Sequence, residues 1–275
     1  MASIKLADYA MRYKHVAMER REGILQMTFH TTGDELKWSA EVHEEMSYAF
    51  YDVARDYENR CVIMTGAGEA FCAAMDTGGG PAGLQVDEDN VGAEKPAPPP
   101  AGIPSTTWDH IYSDAKYLLT NLLNIETPMI AAVNGPALIH AELAVMCDIV
   151  IAADHAVFQD APHFPNGIVP GDGVHIVWPL ILGPNRGRYF LLTGQKIAAT
   201  EALRLGVVSE VVTPAQLLPR AWELARQIVA RPSLTTRYAR VALAQQLKKL
   251  MLENLGYGLA LEGLGGAAFW PGAKN

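Results

Sequence analysis

Three short apolar runs constrain the fold of this chain more than any other feature. They are CVIMTG (61–66), PMIAAVNG (128–135) and CDIVIAAD (147–154), and segments with helical patterns separate and follow them. Uninterrupted apolar runs of this length are typical of strands that are buried on both faces of a parallel sheet. Because these strands alternate with helices, we expect an α/β fold with a largely parallel sheet.

The segments around these strands suggest how the rest of the chain is organised. Residues 15–30 form two β-like runs with a charged turn between them, which predicts a hairpin, and Ser39 is placed to cap a helix that ends near Arg55. Residues 77–107 combine Gly, Pro and acidic residues without periodicity, which predicts a surface excursion, either a lid or an insertion. We expect a core over residues 1–212 and a helical region over residues 213–275.

Charge and composition exclude several classes of protein. The 275 residues carry 22 Lys and Arg against 30 Asp and Glu, a net charge of -8, so there is no basic field to attract nucleic acid. No apolar run is long enough to cross a bilayer. We therefore expect a cytoplasmic protein without nucleic-acid or membrane partners. The three cysteines lie in apolar contexts without CxxC spacing, which favours reduced, buried thiols.

The stretch FQDAPHFPNGIVPGDG (158–173) fixes His163 and Asp172 among prolines and glycines. Such residues usually occupy solvated loops, and the stretch alone does not exclude that interpretation. A histidine near its ordinary pKa of about 6.5 is, however, suited to act as a general base. A neighbouring carboxylate would fix its tautomer and stabilise the imidazolium, as in a catalytic triad that lacks the serine.

Four segments in order resemble the crotonase (enoyl-CoA hydratase/isomerase) superfamily over nearly the whole chain. They are AFCAAMD, PMIAAVNGPALIHAELAVMCDIVIAAD, FQDAPHFPNGIVPGDG and RYFLLTGQKIAATEALRLGVVSEVV. The resemblance implies a β-β-α spiral core and a C-terminal helical region that forms trimers or hexamers. It also implies that backbone N–H groups stabilise an enolate-like oxyanion, one of them from Met75.

Three positions depart from the pattern of the CoA-dependent members. His140 lies in IHAE, where those relatives have a run of glycines, and Asp172 lies where they have a small residue. One of the two glutamates of a hydratase corresponds to Glu142, but the other is replaced by His163. The chain is thus similar to the β-diketone hydrolases of the 6-oxocamphor hydrolase type, which cleave a carbon–carbon bond by a retro-Claisen reaction.

That similarity assigns roles to individual residues. It implies that His163 activates water, that Asp172 orients His163, and that the enolate receives its proton either from Glu262 or from the His163 imidazolium. The substrate-binding residues that it implies are Trp38, His43, His140 and Met75. No cofactor is implied, and a metal site is not expected because the chain has no HExxH motif or typical zinc spacing.

Structural roles compete with several of these assignments. Trp38 would by default belong to the core, His43 could pack on a helix, Glu142 could form a structural pair, and Glu262 could lie on a solvated helix face. The remaining histidines have no constellation and are expected to be structural. Two rival functions stay open, a CoA-thioester hydratase or isomerase and a non-catalytic subunit on the same scaffold.

Overall fold

A central sheet of six strands organises the fold. The computed structural model describes residues 4–76 and 102–271. The strands of the central sheet and of two small two-stranded sheets are, in chain order, β1 (Val16–Arg21), β2 (Ile24–Phe29), β3 (Lys37–Trp38), β4 (Cys61–Gly66), β5 (Ala74–Met75), β6 (Met129–Val133), β7 (Ile149–Ala153), β8 (Val157–Phe158), β9 (Ile197–Ala198) and β10 (Glu210–Val212). The strand order in the central sheet is β1-β2-β4-β6-β7-β10, and every neighbouring pair except β1–β2 is parallel. The predicted α/β class is confirmed.

Helices cover both faces of this sheet. They are α1 (Leu6–Tyr9), α2 (Ala40–Arg55), α3 (Ser105–Leu123), α4 (Ala141–Val145), α5 (Val174–Leu182), α6 (Pro184–Thr193), α7 (Ala199–Leu205), α8 (Pro214–Val229) and α9 (Ser233–Ala268). Leu217, Ala221 and Ala225 of α8 are buried against one face of the sheet. The larger core lies on the other face, where α2, α3, α5 and α9 pack together. Among the described residues, no helix is both long and apolar enough to cross a membrane.

The N-terminal elements follow local sequence signals. Strands β1 and β2 pair antiparallel with Val16 opposite Phe29, as the hairpin pattern predicts. Ser39 is the N-cap of α2, and its Oγ accepts the backbone N–H of Val42 at 3.2 Å, which satisfies one of the first-turn donors. The predicted cap and the predicted end at Arg55 are both confirmed.

The predicted excursion at 77–107 falls mostly outside the described residues, which resume at Gly102. The expected end of the excursion, at about residue 107, is wrong, since α3 already begins at Ser105. Pro104 takes the N-cap position, because its fixed φ suits the entry to a helix and it needs no hydrogen bond from its own nitrogen. The boundary expected between residues 212 and 213 stays a prediction, although the predicted C-terminal helical region is present as α8 and α9.

Candidate active site

A cavity of about 170 Å³ lies between the sheet and the C-terminal helix. It gathers side chains from β3, β5, α2, α3, α9, the loops before α4 and α5, and the segment that follows α9. Its lining residues are Trp38, His43, Met75, Ile111, Ala115, Ile139, His140, Pro162, His163, Ile168, Asp172, Leu259, Glu262 and Trp270. All seven residues predicted for the site therefore line one cavity, although their roles stay predictions. Most of the remaining wall is apolar, so polar contacts inside are only weakly screened by water.

His163 is held between two carboxylates at the floor of this cavity. Its Nδ1 lies 2.6 Å from Asp160 Oδ1, and its Nε2 lies 3.3 Å from Asp172 Oδ2. All three residues are buried. Burial by itself lowers the pKa of His163, but the two carboxylates outweigh burial and hold this pKa well above its ordinary value. In turn, the imidazolium outweighs burial at Asp172 and lowers the pKa of that carboxyl.

Glycines place the Asp172 turn directly against α9. A Cβ on Gly171 would lie 2.2 Å from the carbonyl oxygen of Gly258, and a Cβ on Gly258 would lie 2.2 Å from the ring of His175. Only glycine at both positions permits this approach. Because Glu262 lies one turn beyond Gly258, the approach brings its carboxyl to Asp172.

Glu262 is buried in the cavity wall, so the alternative prediction that it lies on a solvated helix face is wrong. Its Oε2 has no hydrogen-bond partner among the described residues. Burial is the main cause that raises the pKa of Glu262 to about 8, and Asp172 adds to the rise. Glu262 is therefore mostly a neutral carboxylic acid near pH 7, a form able to donate a proton.

His140 lies on the opposite side of the cavity. Its backbone is left-handed, with φ 48° and ψ 39°, a conformation that costs a residue with a Cβ about 1–2 kcal/mol. His140 Nδ1 lies 2.6 Å from Glu142 Oε1, so Nδ1 carries a proton and Nε2 is left for a ligand. Burial lowers the pKa of His140, but Glu142 outweighs burial and the net pKa is raised. The charged form donates from Nε2.

Trp38, His43 and Met75 complete the polar side of the cavity. The Trp38 and His140 rings lie 4.1 Å apart between centroids, and His43 meets both rings edge-on. His43 Nδ1 is 2.7 Å from Asp114 Oδ2, close enough for an ion pair, but the contact does not have hydrogen-bond geometry. Strands β3 and β5 pair Trp38 with Met75. The Met75 N–H as an oxyanion donor stays a prediction.

Among the described residues, two sets of ligand atoms at or beside the cavity are close enough together to surround a cation. One set comes from His140, Glu142 and Asp172, the other from His163, Asp172 and Glu262, and within each set the atoms lie within 4.8 Å of one another. His163 also has a carboxylate on its remaining nitrogen, as histidine ligands of metals commonly do. The geometry is thus compatible with either a divalent cation or a proton-transfer site.

Sequence reasoning missed Asp160 and Asp114. Asp160 lies three residues before His163 in FQDAPH, a spacing short enough for its carboxylate to be considered as a partner of the imidazole. Asp114 carries no such signal, because it reaches His43 only through the packing of α3 on α2. Only a tertiary contact could have identified Asp114.

Comparison with known proteins agrees with this geometry. Residues 106–257 match the enoyl-CoA hydratase/isomerase family. YngF of Bacillus subtilis, named as an enoyl-CoA hydratase/isomerase, is 33% identical over 82% of this chain and 77% of its own length. The carnitinyl-CoA dehydratase of Salmonella arizonae is 39% identical over 67% of this chain and 63% of its own.

Solved structures extend the similarity to nearly the full length. A β-diketone hydrolase from the cyanobacterium Anabaena sp. PCC 7120, bound to (S)-3-oxocyclohexyl acetic acid, is 44% identical, with a TM-score of 0.84 over 94% of this chain and 97% of that chain. An enoyl-CoA hydratase/isomerase from Mycobacterium paratuberculosis shares the fold at 24% identity, with a TM-score of 0.78 over 93% and 94% of the two chains. The matched segments and the fold together show that this chain belongs to the enoyl-CoA hydratase/isomerase family, within the crotonase superfamily.

Proposed function

We propose that this protein hydrolyses a carbon–carbon bond of a β-diketone by a retro-Claisen reaction and releases a keto acid. The observation that carries the proposal is the arrangement of His163 and His140 across one small apolar cavity, each with a carboxylate at Nδ1. One imidazole is placed to act on water and the other to act on a carbonyl. Two different roles are needed because the reaction both adds water and releases an enolate.

Water activation is the role of His163. Neutral His163 takes a proton from water as the oxygen forms a bond to one carbonyl carbon, and the resulting imidazolium is stabilised by Asp160 and Asp172. The tetrahedral adduct then collapses to a carboxylic acid. The bond to the central carbon breaks, and its electron pair enters the second carbonyl as an enolate.

Enolate stabilisation is the role of His140 and Trp38. A charged His140 donates from Nε2, and the indole of Trp38 offers an N–H in the same wall. Such donors act best where the oxygen gains negative charge, since they are fixed before the reaction begins. Glu262, neutral near pH 7, then supplies the proton to the enolate carbon. The proton that His163 took from water then restores neutral Glu262, because ligand atoms of the two side chains lie within 4.8 Å of each other.

The size of the cavity favours a compact substrate. Its volume of about 170 Å³ is below the range of about 300–1,000 Å³ typical for drug-sized ligands. The Anabaena hydrolase is bound to a keto acid, the class of compound that ring opening of a bicyclic β-diketone yields. We therefore propose a small bicyclic β-diketone as the substrate. The proposed steps need no metal or cofactor, so EDTA should leave the rate unchanged.

Turnover in heavy-oxygen water tests the proposal. The purified protein is incubated with the bicyclic β-diketone whose ring opening yields 3-oxocyclohexyl acetic acid, and separately with crotonyl-CoA. We expect one labelled oxygen in the new carboxylate and negligible hydration of crotonyl-CoA. Efficient hydration of crotonyl-CoA, with every diketone inert, would replace the proposal with a hydratase.

A CoA-thioester hydratase or isomerase is the second candidate, because the family match and the relative from Bacillus subtilis point to that activity. The contact of Glu142 distinguishes the hydratase from the diketone hydrolase. A hydratase needs this carboxylate to act on its substrate, but here its Oε1 is bound to His140 at 2.6 Å. The site thus supports the diketone proposal better.

We also propose that the protein forms a homotrimer or homohexamer. Helix α9 exposes large apolar side chains, including Leu243 at 77%, Leu252 at 68% and Leu264 at 71%. Exposed apolar surface along one helix is typical of an interface. Light scattering coupled to gel filtration tests the assembly, and a monomer at micromolar concentration would contradict it.

A further inference from the structure

The two carboxylates beside His163 differ in position and in geometry. Asp160 Oδ1 meets Nδ1 at 2.6 Å with the geometry of a hydrogen bond, whereas Asp172 Oδ2 meets Nε2 at 3.3 Å. Charge-assisted hydrogen bonds of this type measure about 2.7–2.9 Å. The Asp160 contact is therefore the tighter one, and the Asp172 contact is longer than a hydrogen bond that would fix the ring.

The backbone around Asp160 is anchored on both sides. The N–H groups of Gln159 and Ala161 donate to the carbonyls of Ala137 and Leu138 at 3.1 and 3.0 Å. Asp160 is buried and is absent from the cavity wall formed by the described residues. Asp160 thus lies behind the imidazole, on a hydrogen-bonded backbone and outside the wall that a substrate in the cavity would contact.

Asp172 occupies the opposite position. It lines the cavity, it faces the nitrogen that water must reach, and its buried Oδ1 has no hydrogen-bond partner within the described part of the chain. A water molecule beside Nε2 would therefore lie next to Asp172, whose Oδ2 is 3.3 Å from that nitrogen. An orienting carboxylate binds the ring nitrogen on the far side from the reacting atom. Asp172 instead lies beside Nε2, the nitrogen on the cavity side.

We propose that Asp160 is the residue that positions His163, and that Asp172 holds the attacking water on the cavity side. This inference rests on the proposed function and revises the sequence prediction, which gave the orienting role to Asp172. Asp160 accepts a hydrogen bond from the Nδ1–H group, which leaves Nε2 as the basic nitrogen of neutral His163. Asp172 accepts a hydrogen bond from the water whose other proton passes to Nε2.

The hydrogen bond can be measured without any substrate. In protein labelled with 15N-histidine, we expect the neutral His163 ring to carry its proton on Nδ1, with a far-downfield proton resonance that is assigned by its loss in His163→Ala. Asp172→Asn should keep this tautomer and this resonance. The tautomer is assigned at a pH above the raised pKa of His163, where the ring is neutral. A neutral wild-type ring that carries its proton on Nε2, or loss of the Nδ1 resonance in Asp172→Asn, would overturn the inference. These two spectra decide it even where an Asp160 variant does not fold.

Asp160→Asn gives the complementary result. The amide cannot stabilise the imidazolium, so the Nδ1 resonance should disappear and the acid limb of kcat/KM should move to lower pH. We expect kcat to fall by about 10³-fold with KM changed only a few-fold. Asp154→Asn is the matched control, since Asp154 is an exposed acid 3.5 Å from His155 and outside the cavity, and it should change none of these properties.

The spectra and the kinetics separate the two proposals. If no diketone is hydrolysed but the tautomers behave as expected, the proposed function fails and the positioning role of Asp160 stands. An Asp160→Asn variant that retains the Nδ1 resonance and a rate within about twofold of the wild type would overturn the positioning role alone.

Discussion

Two histidine–carboxylate pairs in this protein have similar distances but different surroundings. His15 Nδ1 lies 3.0 Å from Glu45 Oε2, and the same oxygen also accepts the backbone N–H groups of Lys14 and His15. Through this oxygen, Glu45 holds the N-terminal segment on α2. At the His163 site, by contrast, Asp160 Oδ2 and Asp172 Oδ1 have no partner among the described residues.

The difference supports a structural role for the His15 pair and, under the proposed function, a ligand-binding role for the His163 pair. A buried polar atom without a partner costs about 1–3 kcal/mol, so such atoms persist where another molecule completes their hydrogen bonds. Among the buried atoms without a hydrogen-bond partner in the described part of the chain, Asp172 Oδ1, Glu262 Oε2 and His43 Nδ1 belong to residues that line the cavity. Asp160 Oδ2 belongs to a residue behind His163 that is not among the described residues of the cavity wall, whereas Glu45 Oε2 has three partners within the fold.

Removal of the imidazole is expected to separate the two pairs most strongly. His163→Ala should lower kcat on a verified β-diketone by about 10³- to 10⁴-fold, because water loses its base. His15→Ala should leave kcat within about twofold and act instead on stability. Circular dichroism checks that both variants are folded, and near-normal turnover by folded His163→Ala would contradict the mechanism.

A substitution on the carbonyl side is expected to have the next largest effect. Trp38→Phe keeps the apolar ring and removes only the indole N–H, so kcat should fall by about 10²-fold with little change in Tm. Trp222→Phe is the control, because its N–H donates to Gln26 at 2.8 Å outside the cavity. Equal kinetics for both variants and the wild type would return Trp38 to a packing role.

The pH profile tests the electrostatics of the His163 pair. Because carboxylates raise the pKa of His163 and only the neutral ring accepts a proton, kcat/KM should fall with decreasing pH, with a midpoint above about 6.5. Asp172→Asn removes one of the carboxylates that raise the pKa of His163. The midpoint of the acidic limb of kcat/KM should therefore move to lower pH while the maximal rate falls. A limb centred at or below the ordinary histidine pKa in the wild type would mean that another group titrates.

Much of the scaffold could be predicted from local signals, since apolar runs specify β4, β6 and β7, and Ser39 specifies the start of α2. The residues of the site could be predicted only through family resemblance, because they come from distant parts of the chain. Even then the division of roles was not accessible. Which nitrogen of His163 meets Asp160 depends on the ring orientation, which sequence spacing does not specify.

Glu262 shows the same limit. Its position between Leu261 and Leu264 left a solvated helix face open, because periodicity alone does not state which side of a helix is covered. The close contact of Gly171 with Gly258 decides it by bringing the Asp172 turn onto α9. A contact between two glycines distant in sequence leaves no periodic signal, so burial of this carboxyl could be learned only from the structure.

The smallest expected effect is on stability, and it has opposite signs for two glutamates. Glu262 has a folded-state pKa of about 8, above its ordinary value of 4.5, so the native state binds the extra proton and wild-type stability falls as pH rises between these values. Glu262→Gln removes this loss and should raise Tm relative to the wild type by at least about 3 °C near pH 9, with little difference near pH 4. Glu45→Gln should instead lower Tm at neutral pH, because its carboxylate accepts two backbone N–H groups and the His15 ring. Calorimetry of the three proteins across pH checks both signs, and a Glu262→Gln protein that is less stable than the wild type near pH 9 would show that the Glu262 charge is already compensated in the folded state.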